Sequence, residues 1–483
     1  MGHPMNKPIR RVAFFALIMF ALLLGNVTYS VLFRQASLDA SAQNRRTRDA
    51  EFAQDRGAIL ATGKVPMAET KESDDRFRFQ RVYPDDELYA VVTGYYSYDH
   101  ARTGLENSYN TELAGTDDAL FVRRLVDLAT NTATKGASVQ TTIVPRVQQA
   151  ATQALGNQRG AVVALDPKTG AVLAMVTSPS YNPNEIASHD IEAANKAWTR
   201  LAKDKTSPLS NRAAREIYPP GSTFKLVTAA AALEDGMTPE SKIASPDRLK
   251  LPNTQTYLPN STNCGGSQTT LSNALRVSCN TAFANVGLKL GQDELRDQAQ
   301  KFGFNARHLN DLNGVASQFP DDMDQAQLAL ASIGQYDVAA SPLQMAMVTA
   351  GIANDGAVMD PYVVSMVQGP DLKPLSTTKP TKLSQAMSAS NAKELQEMMR
   401  IVVAQGTGSS AQISGVDVGG KTGTAQSDPK RKPFAWFTSF APVDDPKVAV
   451  AVIVEDADIP REDIAGGRVA APIARATMQA ALQ

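Results

Sequence analysis

Between Val12 and Phe33 the chain runs for 22 residues without a charged side chain. A helix of that length crosses the roughly 30 Å of hydrocarbon in a bilayer, whereas a soluble core seldom needs so long a charge-free run at a terminus. Lys7, Arg10 and Arg11 precede the run and only Arg34 follows it closely. That asymmetry predicts a short cytoplasmic tail (1–11), a transmembrane anchor (12–33) and an extracytoplasmic remainder. The competing reading is a cleaved signal peptide. Ala40-Ser41-Ala42 has the small residues of a cleavage site, but it lies well beyond an apolar run already too long for a signal core. Either reading exports everything after residue 42.

The 483 residues suit two or three domains. With 43% hydrophobic and 20% charged residues the balance is that of a globular protein. A net charge of −1 offers no whole-chain attraction to nucleic acid, which is not an expected partner. Two cysteines are too few for a disulfide scaffold or a Cys-rich zinc fold. His3, His100, His189 and His308 are scattered without an HExxH pair, so neither a metal nor another cofactor is expected.

Residues 34–137 form a polar, Arg-rich stretch, read as a small extended module. Asn44-Arg45-Arg46-Thr47-Arg48 reads as a solvated helix face or as partners for Asp49, Glu51 and Asp55. Ala58-Ile59-Leu60 and Tyr89-Ala90-Val91-Val92 look strand-like, interrupted by Gly57, Gly63, Pro84 and Gly94. A new pattern begins near Ser138. Pro145 can open a helix to Leu155, with Gly156 as its stop. Ala161–Leu165 and Ala171–Val176 read as strands joined by an Asp166–Gly170 turn. Val418–Ala425, Ala435–Phe440 and Val448–Val454 read as strands, and Ala470–Leu482 as a final helix. Between them lie helical segments, Ser222–Asp235, Leu271–Val277, Thr281–Leu290, Gln325–Ile333, Pro342–Ala353 and Asn391–Val402. The expectation for 138–483 is an α+β domain, with an antiparallel sheet gathered from both ends and a helical middle packed on it.

Tyr218-Pro219-Pro220-Gly221 halts regular structure just before Ser222, and an apolar helix follows to Asp235-Gly236. Ser222 is thus expected in the first turn, with Lys225 three residues on along the same face. A serine hydroxyl needs a base to become a nucleophile, and a lysine amine serves if burial lowers its pKa. The helix N-terminus also directs N–H groups toward a developing oxyanion. Ser-x-x-Lys recurs at Ser376–Lys379, Ser390–Lys393 and Ser427–Lys430; the first and third fall in polar loops, and Ser390 looks like the N-cap of a surface helix. Ser278-Cys279-Asn280 lies between two helical segments and can present a hydroxyl and an amide to a cleft. Ser-x-Asn also recurs, at 108–110, 180–182 and 261–263, where turn formation is its usual role. Lys421-Thr422-Gly423-Thr424-Ala425 can form an edge strand that binds a carboxylate, with Gly423 leaving room for substrate alongside; its counterpart Lys168-Thr169-Gly170 reads as the hairpin turn.

Ser-x-x-Lys, Ser-x-Asn and Lys-Thr-Gly in this order form the set found in serine β-lactamases and penicillin-binding proteins. From about Ser138 onward the chain resembles a penicillin-binding transpeptidase domain, supported by Tyr218–Gly221, by Thr424-Ala425 and by Ala470-Ala471-Pro472 at the expected opening of the last helix. The preceding region is similar to a class B pedestal, with Arg56-Gly57 and Gly104-Leu105-Glu106, and is too short for a glycosyltransferase domain. The chain most resembles the short penicillin-binding protein A group of actinobacteria. The resemblance implies that Ser222 is acylated by the penultimate D-Ala of a peptidoglycan stem peptide, that Lys225 is the base and that Ser278 relays protons. It implies that Asn280 binds the peptide amide and that Lys421, Thr422 and Thr424 hold the substrate carboxylate beside Gly423. The N–H groups of Ser222 and Thr424 would form the oxyanion hole. β-Lactams would acylate the same serine. Cross-linking during growth or division, beside other wall-synthesis proteins, is the implied setting.

A D,D-carboxypeptidase or β-lactamase shares this fold, but no carboxylate suited to activating a deacylating water is evident. A catalytically idle β-lactam-binding scaffold would keep all three motifs. Cys264 and Cys279 both lie outside the membrane, where disulfides persist, and the Asn263-Cys264-Gly265-Gly266 loop can reach the Ser-x-Asn motif. They are expected either to pair or to remain two thiols, with Cys279 a small buried filler.

Overall fold

The computed structural model describes residues 6–30, 45–120, 135–425, 431–457 and 459–483. Two compact units are distinguished, 1–54 with 72–79, and 55–71 with 80–483. In the first, helix α1 (Asn6–Tyr29) presents exposed apolar side chains along Ile9–Tyr29. It is long and apolar enough to cross a membrane; the expected end of the span at Phe33 lies outside the described residues. A second helix covers Arg45–Phe52, and the Phe52 ring lies 5.7 Å from that of Phe77.

In the second unit, α2 (Pro145–Leu155) leads into a five-stranded antiparallel sheet. Its strands are β1 (Arg159–Leu165), β2 (Val172–Ser178), β3 (Gly419–Ala425), β4 (Phe434–Ala441) and β5 (Val448–Asp456), in the spatial order β3-β4-β5-β1-β2. Strands from both ends of the domain therefore share one sheet, as the apolar runs predict. Those runs are continuous because the sheet is covered on both faces. Ala161, Val163, Trp436, Phe440, Ala451 and Ile453 point into one core. Val162, Ala164, Phe437, Val450 and Val452 point into the other, the period-two alternation of a strand. On the first face lies the helical middle: α3 (Lys225–Glu234), α4 (Leu271–Arg276), α5 (Asn280–Leu290), α6 (Pro342–Ala353) and α7 (Ala389–Gln405). The last helix, α8 (Gly466–Ala481), packs with α2 on the other face.

Three local expectations are corrected. Tyr89–Val92 is not a strand; Ala90–Thr93 is a single buried helical turn ended by Gly94 at φ 71°. The last helix starts at Gly466, not Ala470, so Pro472 lies inside it. The two opening glycines permit close approach, since a Cβ at Gly466 would fall 2.0 Å from Trp436 O on the sheet and one at Gly467 would fall 2.2 Å from Thr407 O. Ser390 is not a cap: Ser388 caps α7 by accepting from Asn391 N.

A further sheet joins Pro374–Thr377, Val364–Gln368, Ser138–Thr141, Ile59–Leu60 and Pro66–Glu72 in that spatial order. Ile59–Leu60 runs parallel to Ser138–Thr141, so the expected boundary at 137/138 falls between two paired strands. Beside it Glu106 accepts from Arg56 Nε and Arg81 Nε, each at 2.6 Å, with all three side chains buried. Burial pushes the Glu106 carboxyl up, but the two guanidiniums outweigh it and hold it below its ordinary value.

Candidate active site

Pro219 and Pro220 withhold two backbone donors, and Gly221 sits at φ 53°, a left-handed conformation that favours glycine. The chain there folds into a tight 3-10 turn, Gly221–Thr223, closed by Phe224 N on Gly221 O at 2.9 Å and by Thr223 Oγ1 on Pro220 O at 2.7 Å. Gly334 makes room for it, because a Cβ there would lie 2.1 Å from Gly221 O. Ser222 is therefore placed ahead of the regular helix rather than in its first turn, and Lys225 is the first residue of α3. Side chains three apart eclipse in such a turn, so the two residues still share a face.

All residues from Lys225 to Leu233 are buried, as the apolar run implies. The Lys225 amine donates at 2.8 Å to both Ser278 O and Asn280 Oδ1, and lies 3.3 Å from Ser278 Oγ. Burial first, and the Lys421 charge second, push its pKa well down. A neutral amine has two N–H bonds. In that form the two carbonyl oxygens would account for both and leave its lone pair for a hydroxyl. Lys421, also fully buried, donates to Ser278 Oγ at 2.9 Å and to Thr422 O at 2.8 Å, and burial lowers its pKa to about 7. Both lysines thus converge on Ser278.

Ser278 itself has φ 60°, a left-handed conformation costing about 1–2 kcal/mol for a residue with a Cβ. It is held there from both sides. A disulfide joins Cys264 to Cys279, with Cα atoms 5.6 Å apart. Thr262 Oγ1 donates to Val277 O at 2.6 Å, and Thr281 N donates to Asn260 Oδ1 at 3.0 Å. Asn280 Nδ2 donates one N–H to Pro259 O at 3.1 Å, which leaves the other for a ligand.

Strand β3 lies at the edge of the five-stranded sheet, so its outer backbone groups can pair with an extended peptide. Its inner partner is β4, with Gly423 opposite Trp436. Lys421 and Thr422 are buried, and Thr424 is exposed. Thr422 Oγ1 lies 2.7 Å from Thr407 Oγ1. One hydroxyl hydrogen is used within that pair and the other remains for an acceptor. Thr407 was not among the expected residues. Its signal is Gly406-Thr407-Gly408 directly after a long helix: a Cβ at Gly406 would lie 2.6 Å from Arg276 O, so the loop must be glycine-flanked to approach α4. Two of the recurring copies of the motifs stand apart from the site. Lys168 is exposed in the hairpin turn and pairs with Asp445, Ser376–Lys379 starts in an edge strand, and Ser427–Lys430 lies outside the described residues.

Residues 160–479 match the family model of the penicillin-binding protein transpeptidase domain, and residues 56–139 match that of the penicillin-binding protein A dimerisation domain. The chain is 45% identical to the peptidoglycan D,D-transpeptidase PbpA of Mycolicibacterium smegmatis over 99% of both chains, and 44% identical to that of Mycobacterium tuberculosis over the same shares. Its structure is similar to that of M. tuberculosis penicillin-binding protein A in a ceftriaxone acyl-enzyme complex, with TM-score 0.87, 43% identity and coverage of 90% of this chain and all of that one. A penicillin G acyl-enzyme complex of the same protein gives a TM-score of 0.85 at 43% identity, covering 89% of this chain and 100% of that one. On its ordered motifs, its fold and these likenesses, the chain belongs to the penicillin-binding protein transpeptidase family.

Proposed function

We propose that this chain is a peptidoglycan D,D-transpeptidase that cross-links stem peptides through an acyl-enzyme on Ser222, and that β-lactams block it by acylating the same residue. The observation that carries this reading is the fully buried Lys225 amine, three residues from Ser222, 2.8 Å from Ser278 O and Asn280 Oδ1 and 3.3 Å from Ser278 Oγ. Burial pushes its pKa well down, which suits it to act as a base.

Ser222 Oγ attacks the carbonyl carbon of the penultimate D-Ala as Lys225 takes its proton. The N–H groups of Ser222 and Thr424 hold the oxyanion. The amide C–N bond then breaks, and the departing terminal D-Ala receives a proton by way of Ser278, between Lys225 and Lys421. An acceptor amine attacks the ester, forms the new amide and returns the proton to Ser222. Lys421, the Thr407–Thr422 hydroxyl pair and Thr424 hold the terminal carboxylate. The free N–H of Asn280 binds the donor peptide's amide, and Gly423 leaves space beside the strand.

Residues 12–33 anchor the chain, 1–11 face the cytoplasm, 34–137 form a non-catalytic pedestal and 138–483 the transpeptidase domain. The basic flank of the apolar helix supports this orientation. Growth or division beside other wall-synthesis proteins is the setting that fits. The test is incubation with a fluorescent penicillin followed by peptide mapping: the label is expected on Ser222, and a label elsewhere would overturn the assignment.

A further inference from the structure

The turn that carries Ser222 hangs from two side chains of the five-stranded sheet. Trp436 on β4 donates its indole N–H to Pro219 O at 3.0 Å. One residue earlier, the Tyr218 hydroxyl lies 2.8 Å from Glu455 Oε1 and 2.7 Å from Glu216 Oε2. The Tyr218 ring meets Phe434 and Trp436 edge-on, with centroids 5.5 and 6.3 Å apart. Burial, and then the neighbouring carboxylates, hold this phenol well above its ordinary pKa, so it stays a donor.

Glu455, near the end of β5, is buried and is also approached by Arg212 Nε at 3.0 Å and Arg159 Nε at 3.1 Å. Arg212 is fully buried. Desolvating such a cluster is costly, and well-packed apolar residues of similar volume are often as stable. What the cluster supplies that apolar packing does not is direction. It fixes one carboxylate oxygen under the Tyr218 hydroxyl.

That direction reaches the chemistry through the sheet. Trp436 lies opposite Gly423 on one side and Ile453 on the other. The strand bearing Lys421–Thr424 and the two anchors of the serine turn therefore belong to one hydrogen-bonded ladder. The turn sits against that strand closely enough that a Cβ on Gly221 would lie 3.0 Å from Thr424 O.

We infer that Tyr218, held by Glu455 and Glu216, is a positioning residue: its hydroxyl sets the register of the Ser222 turn against Thr424 and thereby the rate of acylation. The inference rests on Ser222 being the nucleophile. Its test is two-step kinetics of a fluorescent penicillin on the full chain, separating the dissociation constant of the initial complex from the acylation rate constant. Peptide mapping and thermal melting accompany it. Tyr218→Phe keeps the ring and loses the hydroxyl; Glu455→Gln keeps the shape and loses the charge. Both are expected to acylate at least about tenfold more slowly, within the range that a small misplacement of reacting groups costs, with unchanged dissociation constants. Should Tyr218→Phe fail to fold, Glu455→Gln carries the same expectation. Wild-type acylation constants with the label on Ser222 would overturn the positioning role alone, even if the melting temperature fell. A label on another residue would overturn the nucleophile assignment and this inference with it.

Discussion

Lys421 Nζ lies 2.9 Å from Ser278 Oγ, and Lys225 Nζ lies 3.3 Å from the same oxygen. Two buried lysines on one hydroxyl are tolerable only if they do not both carry charge. Burial first, and the charge of Lys421 second, push the Lys225 pKa well down, which favours its neutral form. That fits the proposed division of the pair into a base, Lys225, and a cation, Lys421.

Removing the nucleophile and the base should have separable effects. Ser222→Ala is expected to abolish covalent penicillin labelling while leaving the melting temperature close to wild type. Lys225→Ala is expected to slow acylation by about 10²–10⁴-fold, the usual cost of losing a general base. Gel fluorescence with a labelled penicillin reads both, and wild-type labelling of Ser222→Ala would sink the assignment.

The pH dependence follows from Lys421. Burial disfavours its charged form, so in the free enzyme it loses its proton as the pH rises through about 7. Below that value it is the cation that holds a carboxylate; above it that attraction fades. The second-order acylation constant, which reports the free enzyme, should therefore decline on the alkaline side. Lys421→Arg keeps its charge throughout and should move that decline upward even if its maximum rate is lower. A profile from pH 5 to 9 that is the same for both proteins would contradict this.

The acyl-enzyme should persist. No carboxylate is placed in the proposed mechanism to activate a deacylating water, and a poorly solvated site admits water slowly. Penicillin turnover is expected well below about one per second, the low end of the usual enzyme range. Hydrolysis faster than that, followed by absorbance, would point to a β-lactamase.

Reduction of the Cys264–Cys279 bond should change acylation, because the bond adjoins the left-handed Ser278 that both lysines contact. Wild type treated with reductant, Cys264→Ser and Cys279→Ser are expected to share one altered acylation rate. Alkylation without reductant followed by mass spectrometry checks the premise; two alkylated cysteines in most molecules would end it.

Protease added to intact protoplasts should digest the chain beyond Arg34 if the basic flank sets orientation. Protection of the catalytic domain, read by immunoblot, would reverse the topology.

Much of this architecture was legible in local sequence. The strand runs at Ala161–Leu165 and Val448–Val454, the helix opened by Pro145 and stopped by Gly156, and the apolar helix after Ser222 all depend on periodicity and punctuation. The errors have two causes. Tyr89–Val92 has β-branched residues but lies too near Gly94 to extend, and Pro472 sits inside a helix whose true start is set by Gly466 meeting the sheet and Gly467 meeting the Thr407 loop. At Tyr89–Val92 a neighbouring glycine outweighs strand propensity; at Pro472 a tertiary contact does.

The sequence by itself determined the three motifs, their order, the helix that buries Lys225 and the apolar N-terminal helix, because spacings of two to four residues are enforced by the local backbone. Only the tertiary structure decided that Lys225 and Lys421 meet on Ser278, 53 and 143 residues away respectively. Only it showed that Thr407 completes the Lys-Thr-Gly strand and that Glu455 lies under Tyr218. Those contacts depend on sheet register and on which face each long-range segment presents, and no residue's neighbours in the chain encode them.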